Sequence, residues 1–384
     1  MKRLLMLGSG SYLSTLSIRL RDLARHVGSD WDVTVMVPSA DKYNNFTPNR
    51  SLHPRGITLK QPWQLRTRSP LVNLVPYLLS SLVTILRAKP EVVYLYKPTP
   101  ITILGLLPKL LRHTPVFVDL DDLGSEVMRL EGQPRLMSGL VAWCERLAIR
   151  HADAVIVASS FLRAEVLKLH PDKRVLLLPN GVEPDDYRPV RPSKPRHGVY
   201  YFGAVNRLDL IEDLLRAVPA VLAQVPDVQV AIVGDGVALP AAKQLVKELG
   251  VKQAVIFLGW QTDMTGVQRY THFADIGVCY QPDGRTIRAA SNMKVFQYMA
   301  MRTVPLVSDV GDLHSYVKDG QAGVVVPASN VPALGTALVE LLLDAGRRTE
   351  LANNAYQLAQ IDYAWHTRAR AVSEFMASIM EDHA

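Results

Sequence analysis

Ser291-Asn292-Met293-Lys294-Val295-Phe296-Gln297-Tyr298-Met299-Ala300-Met301-Arg302-Thr303-Val304-Pro305-Leu306-Val307-Ser308 reads as a turn, a short helix and a buried strand. Ser291 and Asn292 are the residue types that cap a helix start, because their side-chain oxygens accept from its free N–H groups. Met293, Phe296, Gln297 and Ala300 recur at helical spacing. Val304 to Val307 is a short apolar strand with Pro305 near its start. A helix N-terminus offers unpaired backbone N–H groups and a partial positive charge, which together seat a phosphate. Lys294 adds a full charge in the first turn, and Gln297, one turn on, is placed to reach the hydroxyls of whatever carries that phosphate. An ordinary core helix before an ordinary strand would use the same residue types.

Working outward, short apolar strands alternate with helical stretches along the whole chain. They fall at 4–7, 33–37, 92–95, 116–119, 154–157 and 175–178, and again at 199–202, 228–233, 255–258, 276–279, 304–307 and 324–326. Such alternation predicts parallel sheets with helices on both faces, and two sets predict two doubly wound α/β domains. Between the sets, Pro184, Pro189, Pro192 and Pro195 crowd a stretch that can continue neither a helix nor a central strand. The linker is therefore placed there, dividing the chain into domains of residues 1–185 and 186–360, with a helical tail over 361–384.

The 384 residues are 48% apolar and long enough for two ordinary cores. No uninterrupted run of eighteen apolar residues occurs, so no strong transmembrane helix is expected. The opening Lys2-Arg3-Leu4-Leu5-Met6-Leu7 imitates a leader, but Gly8-Ser9-Gly10-Ser11 breaks it too early. Cys144 and Cys279 sit in apolar surroundings and predict buried thiols in a reducing cytoplasm. No Cys/His cluster has metal-ligand spacing. The net charge of +7 is uneven: residues 1–112 hold 16 Lys/Arg against 5 Asp/Glu, leaving 27 against 31 in the rest. A basic N-terminal half suits a phosphorylated acceptor or an anionic membrane surface on its inner face. No nucleic-acid motif accompanies the charge.

In that half, Gly8-Ser9-Gly10-Ser11-Tyr12 follows the first strand, and its glycines would let a ligand approach the backbone. Two apolar segments, 71–86 and 101–111, read as helices covering a sheet; the other reading has one of them lean on a membrane with its basic residues at the headgroups. Lys97 ends a strand, where open α/β sheets meet their ligands, and could face an acceptor or a phosphate. Val116-Phe117-Val118-Asp119-Leu120-Asp121-Asp122-Leu123 runs a strand into three carboxylates. Alternation would put Asp119 and Asp121 on one side if the strand persists that far. Like charges so close need a ligand or solvent. A metal-binding Asp-x-Asp and a helix cap are both open to them.

The donor-end pattern resembles that of retaining glycosyltransferases with two Rossmann-like domains facing across a cleft (the GT-B type, group 1), a family that includes bacterial mannosyl- and glucosyltransferases. Phe296-Gln297-Tyr298-Met299-Ala300 and Val304-Pro305-Leu306-Val307 fall on the family frame of two glutamates and a small-Pro-Val strand, with Ala289 and Gln297 in the places of the glutamates. Ala152–Ser160, Leu178-Pro179-Asn180-Gly181-Val182, Val230–Gly236 and Val255–Trp260 also match. So do Gly311, Asp319-Gly320 and Gly323, although Ser315 stands for the usual glutamate. The likeness is good over 150–360 and holds only in outline before that. It implies transfer of a sugar from a nucleoside diphosphate sugar to a glycan or lipid-linked acceptor hydroxyl, with retention, no cofactor and no required metal. Donor contacts would come from Gly10, Ser11, Arg207, Ser291, Asn292, Met293, Lys294 and Gln297. Arg207 stands displaced from the family's Gly-Arg, and the lysine that normally follows is missing. Asp121-Asp122 fall where the family often has His-Asp. That makes Asp121 the candidate to bind and help deprotonate the acceptor hydroxyl, with Lys97 and Asp122 beside it. Pro-Asn-Gly-Val is expected to be a structural turn that uses positive φ. The resemblance also implies that the last helix crosses back to the first domain. The same architecture could instead serve a nucleotide-sugar 2-epimerase or a non-catalytic nucleotide-sugar-binding subunit.

Overall fold

The computed structural model describes residues 1–10, 18–28, 30–38, 57–63, 70–187, 198–206, 210–261 and 274–382, with backbone alone for 70–74. The chain forms two compact units: Met1–Pro179 with Trp365–Ala384, and Asn180–Ala364. The change of unit falls just ahead of the proline-rich stretch that marks the linker in the sequence.

Unit 1 carries β1 (Lys2–Gly8), β2 (Trp31–Met36), β3 (Ile57–Lys60), β4 (Val92–Tyr96), β5 (Val116–Leu120), β6 (Ala154–Val157) and β7 (Arg174–Leu177). All pair in parallel, in the order β3-β2-β1-β4-β5-β6-β7. The order reverses beside β1, so connections run outward both ways, the doubly wound pattern expected. β3 has no counterpart among the predicted strands: it is four residues long, at the sheet edge, and only half-buried on alternate positions. Its helices are α1 (Ile18–His26), α2 (Pro70–Ala88), α3 (Leu107–Arg112), α4 (Gly124–Leu130), α5 (Arg135–His151) and α6 (Ser160–Leu169). The apolar 101–111 segment is not one helix. It forms a 3-10 turn over Ile103–Leu106 and then the short α3, which Pro108 opens and His113 closes in the left-handed region at φ 58°. That turn presses on the sheet: a Cβ on Gly105 would lie 2.2 Å from Leu95 Cδ2 and 2.6 Å from Leu7 Cδ1.

Unit 2 carries β8 (Gly198–Phe202), β9 (Gln229–Val233), β10 (Val255–Gly259), β11 (Ile276–Cys279), β12 (Val304–Ser308) and β13 (Val324–Val326), parallel and ordered β10-β9-β8-β11-β12-β13. Its helices are α7 (Ile211–Gln224), α8 (Leu239–Glu248), α9 (Arg285–Ala289), α10 (Met293–Ala300), α11 (Leu313–Tyr316), α12 (Val331–Leu343) and α13 (Ala345–Gln360). On one face Val199, Val230, Ile232 and Leu306 pack on α7, α8 and α12. On the other, Tyr200, Val233, Cys279 and Val307 pack on Phe296, Tyr298 and Met299 of α10 and Ala355 and Leu358 of α13.

The last helix, α14 (Trp365–Glu381), belongs to unit 1. Trp365, Ala369, Val372 and Met376 join Leu20 and Leu23 of α1 against Leu4, Met6, Tyr94, Phe117 and Ile156. No helix among the described residues is long and apolar enough to cross a membrane.

Candidate functional site

Two groups of the sequence-predicted side chains come together, one in each unit. In unit 1 the group lies at the carboxyl ends of β4 and β5. β5 stops at Leu120, so alternation ends before it can align Asp119 with Asp121. The two aspartates take different parts. Asp119 is fully buried; its Oδ2 accepts from Arg19 Nε at 2.7 Å and from the Tyr94 hydroxyl at 2.5 Å. Arg19, equally buried, also donates from Nη1 to the Leu178 carbonyl at 3.0 Å. Burial pushes the Asp119 carboxyl up, and Arg19 opposes it. For Arg19, burial acts to lower, but Asp119 and its neighbours outweigh it and hold the guanidinium firmly charged. This is an internal ion pair and not half of a metal-binding Asp-x-Asp.

Asp121 and Asp122 instead share Lys97. Lys97 Nζ lies 2.9 Å from Asp121 Oδ1 and 2.7 Å from Asp122 Oδ2. The Tyr96 hydroxyl donates to Asp121 Oδ2 at 2.5 Å. Lys97 bends back at φ 53° to make these bonds. Its charge is therefore spent on the two carboxylates and is not held out for a phosphate. Burial works against the charged lysine, but Asp121, Tyr96 and Asp122 together raise its pKa. Burial raises Asp122, Lys97 draws it back and Asp121 raises it further. Close by, Glu145 of α5 accepts from the Ser125 hydroxyl at 2.8 Å, and burial raises its pKa too. The arrangement is a partly exposed carboxylate pair set by one lysine and one phenol, able to accept a proton or a hydrogen bond from a hydroxyl.

In the first glycine turn, Gly8 is set by packing. Gly8 has no room for a side chain because Leu20 Cδ2 and Val37 Cγ1 would lie 2.5 Å and 3.1 Å from its Cβ. Its lack of a side chain makes room for Leu20 of α1 and for Val37. Gly10 follows in a half-buried bend. Ser11 lies outside the described residues.

In unit 2 the group surrounds the start of α10. Asn292 is the N-cap: its Oδ1 accepts from Lys294 N at 3.2 Å. Ser291 does not cap. It is buried, its hydroxyl accepts from Asn180 N at 2.9 Å, and its carbonyl accepts from Asn180 Nδ2 at 2.8 Å. Pro-Asn-Gly-Val is thus structural as expected, but for another reason. Neither Asn180 nor Gly181 has a positive φ, and the asparagine instead clasps the entrance to α10 with two bonds. Met293 is half-buried as the first helical residue. Lys294 is half-buried, with Nζ 3.2 Å from the Tyr201 hydroxyl and 4.5 Å from the centre of its ring. The Tyr201 hydroxyl donates to Ala204 O at 2.6 Å. Lys294 therefore lies along the turn after β8, where a Cβ on Gly203 would be 3.1 Å from Lys294 Cε. Gly203 adopts φ 133°, and Gly234 in the next turn is closer still: a Cβ there would lie 1.8 Å from Gly203 O. The two glycine turns pack backbone on backbone beside the lysine. Gln297 is buried and donates from Nε2 to the Tyr187 hydroxyl at 2.6 Å, so that donor already has a partner in the protein. Ala289 is fully buried, and Arg288 is held by Asp283 at the surface. Arg207 lies outside the described residues. Among those described, no group of three or more His, Cys, Asp and Glu side chains could hold a metal ion.

A capped helix start, a lysine along a side-chain-free turn and parallel strand ends form a setting suited to an anion. The family models meet at this point. Residues 15–181 match the glycosyl transferase 4-like domain, and residues 196–344 match glycosyl transferases group 1. The chain belongs to the group 1 glycosyl transferases. The GDP-mannose-dependent alpha-(1-6)-phosphatidylinositol monomannoside mannosyltransferase of Mycolicibacterium smegmatis is 27% identical over 247 residues, covering 60% of this chain and 63% of the relative. The alpha-D-kanosaminyltransferase of Streptomyces kanamyceticus is 25% identical over 243 residues, covering 60% and 61%. The chain thus spans somewhat over three fifths of the length of these curated relatives. Among solved structures, sucrose-phosphate synthase from Thermosynechococcus elongatus superposes with a TM-score of 0.76 at 19% identity, covering 100% of both chains. Anabaena HepE in complex with UDP gives 0.72 at 17%, covering 98% of this chain and 100% of HepE. These two likenesses are of fold, and they place this glycosyl transferase among two-domain GT-B structures.

Several partners in this glycosyl transferase had no signal in the sequence. Tyr96, Tyr187 and Tyr201 each bond to a predicted residue from a distant part of the chain or from an unremarkable apolar run. Arg19 shares its helix with Arg21 and Arg25, and nothing in the spacing singles it out, yet it is 1% exposed.

Proposed function

We propose that this chain transfers a sugar from a nucleoside diphosphate sugar to a hydroxyl of a glycan or lipid-linked acceptor in cell-envelope or polysaccharide synthesis, with retention at the anomeric carbon. The observation that carries the reading is Lys294, lying along the Gly203 turn at the capped start of α10. A diphosphate there would meet a fixed cation, the positive end of a helix and backbone bare of side chains. As the bond from the sugar to the diphosphate breaks, charge builds on the leaving oxygen. Lys294 and the helix stabilise that charge, and they take the part a metal ion plays elsewhere.

Asp121 receives the acceptor hydroxyl's hydrogen bond in unit 1. Lys97 and Tyr96 keep it oriented, and Asp122 shares the lysine. Two buried free thiols suit a cytoplasmic setting. One relative's name specifies GDP-mannose and one solved neighbour holds UDP-glucose, so both kinds of nucleotide sugar belong in a donor panel. Such a panel, incubated with lipid and glycan acceptors and read by mass spectrometry, tests the proposal. The expected result is one donor consumed with a product one sugar heavier, and an NMR signature of the donor's own anomeric configuration. Donor binding without turnover would point to a non-catalytic subunit, and interconversion of the free donor to an epimerase; either overturns the reading.

A further inference from the structure

Three neighbouring elements of unit 1 leave large apolar side chains in solvent. α5 buries Val141, Ala142, Cys144 and Ala148, while Leu136, Leu140 and Trp143 are 86%, 39% and 50% exposed. Their spacing of four and three residues makes a single stripe along the helix. α2 repeats the pattern, with Tyr77 and Ile85 buried and Val75, Leu79 and Leu86 exposed. α3 ends on Leu110 and Leu111, both exposed. The turn at Ile103–Leu106 touches α2, α3 and α5, so the three helices that carry these side chains are neighbours around it. A single exposed leucine needs no explanation, but adjoining stripes of them do.

Arginines flank this face. Arg87, Arg112, Arg146 and Arg150 stand toward the C-terminal ends of α2, α3 and α5, and Arg129 and Arg135 toward the start of α5. All six are exposed, and among the described residues none pairs with a carboxylate. Of the acids between residues 70 and 151, only Glu91 and Glu131 are exposed, and Glu91 is paired with Arg3. Lys109, a basic residue expected at headgroups, pairs with Asp153 and contributes nothing.

We propose that this face docks on an anionic lipid bilayer, with the apolar stripes entering the acyl boundary and the unpaired arginines resting on headgroup phosphates. Charge decides between occupants. A second copy meeting the same face would set these arginines against each other, whereas an anionic surface neutralises them. Trp143, half-exposed on the stripe, suits the interface because its ring is apolar and its N–H seeks water. The proposal stands on the surface alone and does not depend on transfer activity.

Flotation of the full chain with vesicles tests it, using phosphatidylcholine alone or mixed with phosphatidylglycerol. The protein is expected to float only with the phosphatidylglycerol vesicles, and less so as salt rises. Leu136→Ser with Leu140→Ser and Trp143→Ser should weaken binding by about tenfold or more, and so should Arg146→Glu with Arg150→Glu, at unchanged melting temperature. If the triple variant melts early, Trp143→Ala alone takes its place. No flotation with anionic vesicles, equal flotation with neutral ones, or full binding by these variants would overturn the proposal. So would a wild-type dimer that the apolar variant turns into a monomer without any lipid binding.

Discussion

Asp119, Asp121 and Asp122 are neighbours in sequence with three different fates, and the chemistry of unit 1 follows from how they are partnered. Asp119 and Arg19 form a fully buried pair. Such a pair adds little net stability, but removing one partner strands the other charge, at a cost of about 3–5 kcal/mol. Asp119→Ala should therefore destabilise unit 1 by about that amount in denaturant melts, while donor binding in unit 2 survives at temperatures where the fold holds. Asp121→Asn keeps the shape but removes a carboxylate that accepts from Tyr96 and forms an ion pair with Lys97. Turnover should fall by about 10²-fold or more with donor affinity little changed, and normal turnover would return Asp121 to a structural role.

Asp122 makes a prediction in pH. Its pKa is raised by burial, so as pH falls it takes up a proton earlier than an exposed aspartate of ordinary value 3.8, and the bond to Lys97 weakens. The acid limb of kcat/KM should begin above the ordinary aspartate range, and Asp122→Asn should remove that limb. The sign for stability is the reverse. Because folding favours the protonated form, Asp122's contribution is greatest below 3.8 and is lost as pH rises through the raised folded value. The wild type should thus lose stability relative to Asp122→Asn across that window, as read by melts at stepped pH.

At the scale of elements, the start of α10 is fixed from several sides: Asn292 caps it, Asn180 clasps Ser291 before it, and Tyr201 holds Lys294 after it. Asn180→Ala leaves the buried Ser291 carbonyl without the side-chain donor, a loss of about 1–3 kcal/mol in melts of unit 2. Gly203→Ala strains a backbone at φ 133° and pushes on Lys294, so it should weaken nucleotide binding more than it lowers stability. Much of this element was legible in the sequence. Helical spacing, the apolar strand after it and the lysine in the first turn all appear where the residues placed them. The role of Ser291 was not legible, because capping is a local rule and the Asn180 clasp joins residues far apart in the chain. Gln297 shows the same limit. Its position one turn into α10 could be read, but its bond to Tyr187 depends on the 3-10 turn at Pro184–Tyr187. The Asp119–Arg19 pair was not legible, because one arginine among the three of α1 carries no sign of burial in the sequence.

For the whole molecule, periodicity alone was enough to give two parallel sheets, since each strand is an apolar run bounded by helix. The exception is β3, too short and too polar to stand out. The return of α14 to unit 1 was implied by resemblance and not by pattern, as any amphipathic tail could pack on either unit. It places Trp365, Ala369, Val372, Met376 and Ile379 in the core of unit 1. At about 1.5–3 kcal/mol for each large apolar side chain buried, cutting the chain before Trp365 should leave unit 1 unable to fold stably. Limited proteolysis of the truncated chain should degrade residues 1–179 and spare 180–364; equal protection of both would contradict the assignment.

The central claim is that a nucleoside diphosphate sits at the start of α10 against Lys294, and calorimetric titration of wild type and Lys294→Ala with UDP and GDP tests it most directly. A charged hydrogen bond contributes about 1.5–3 kcal/mol, so the preferred nucleotide should bind the variant at least about tenfold more weakly at an unchanged melting temperature. Equal affinity in the two proteins would contradict the account.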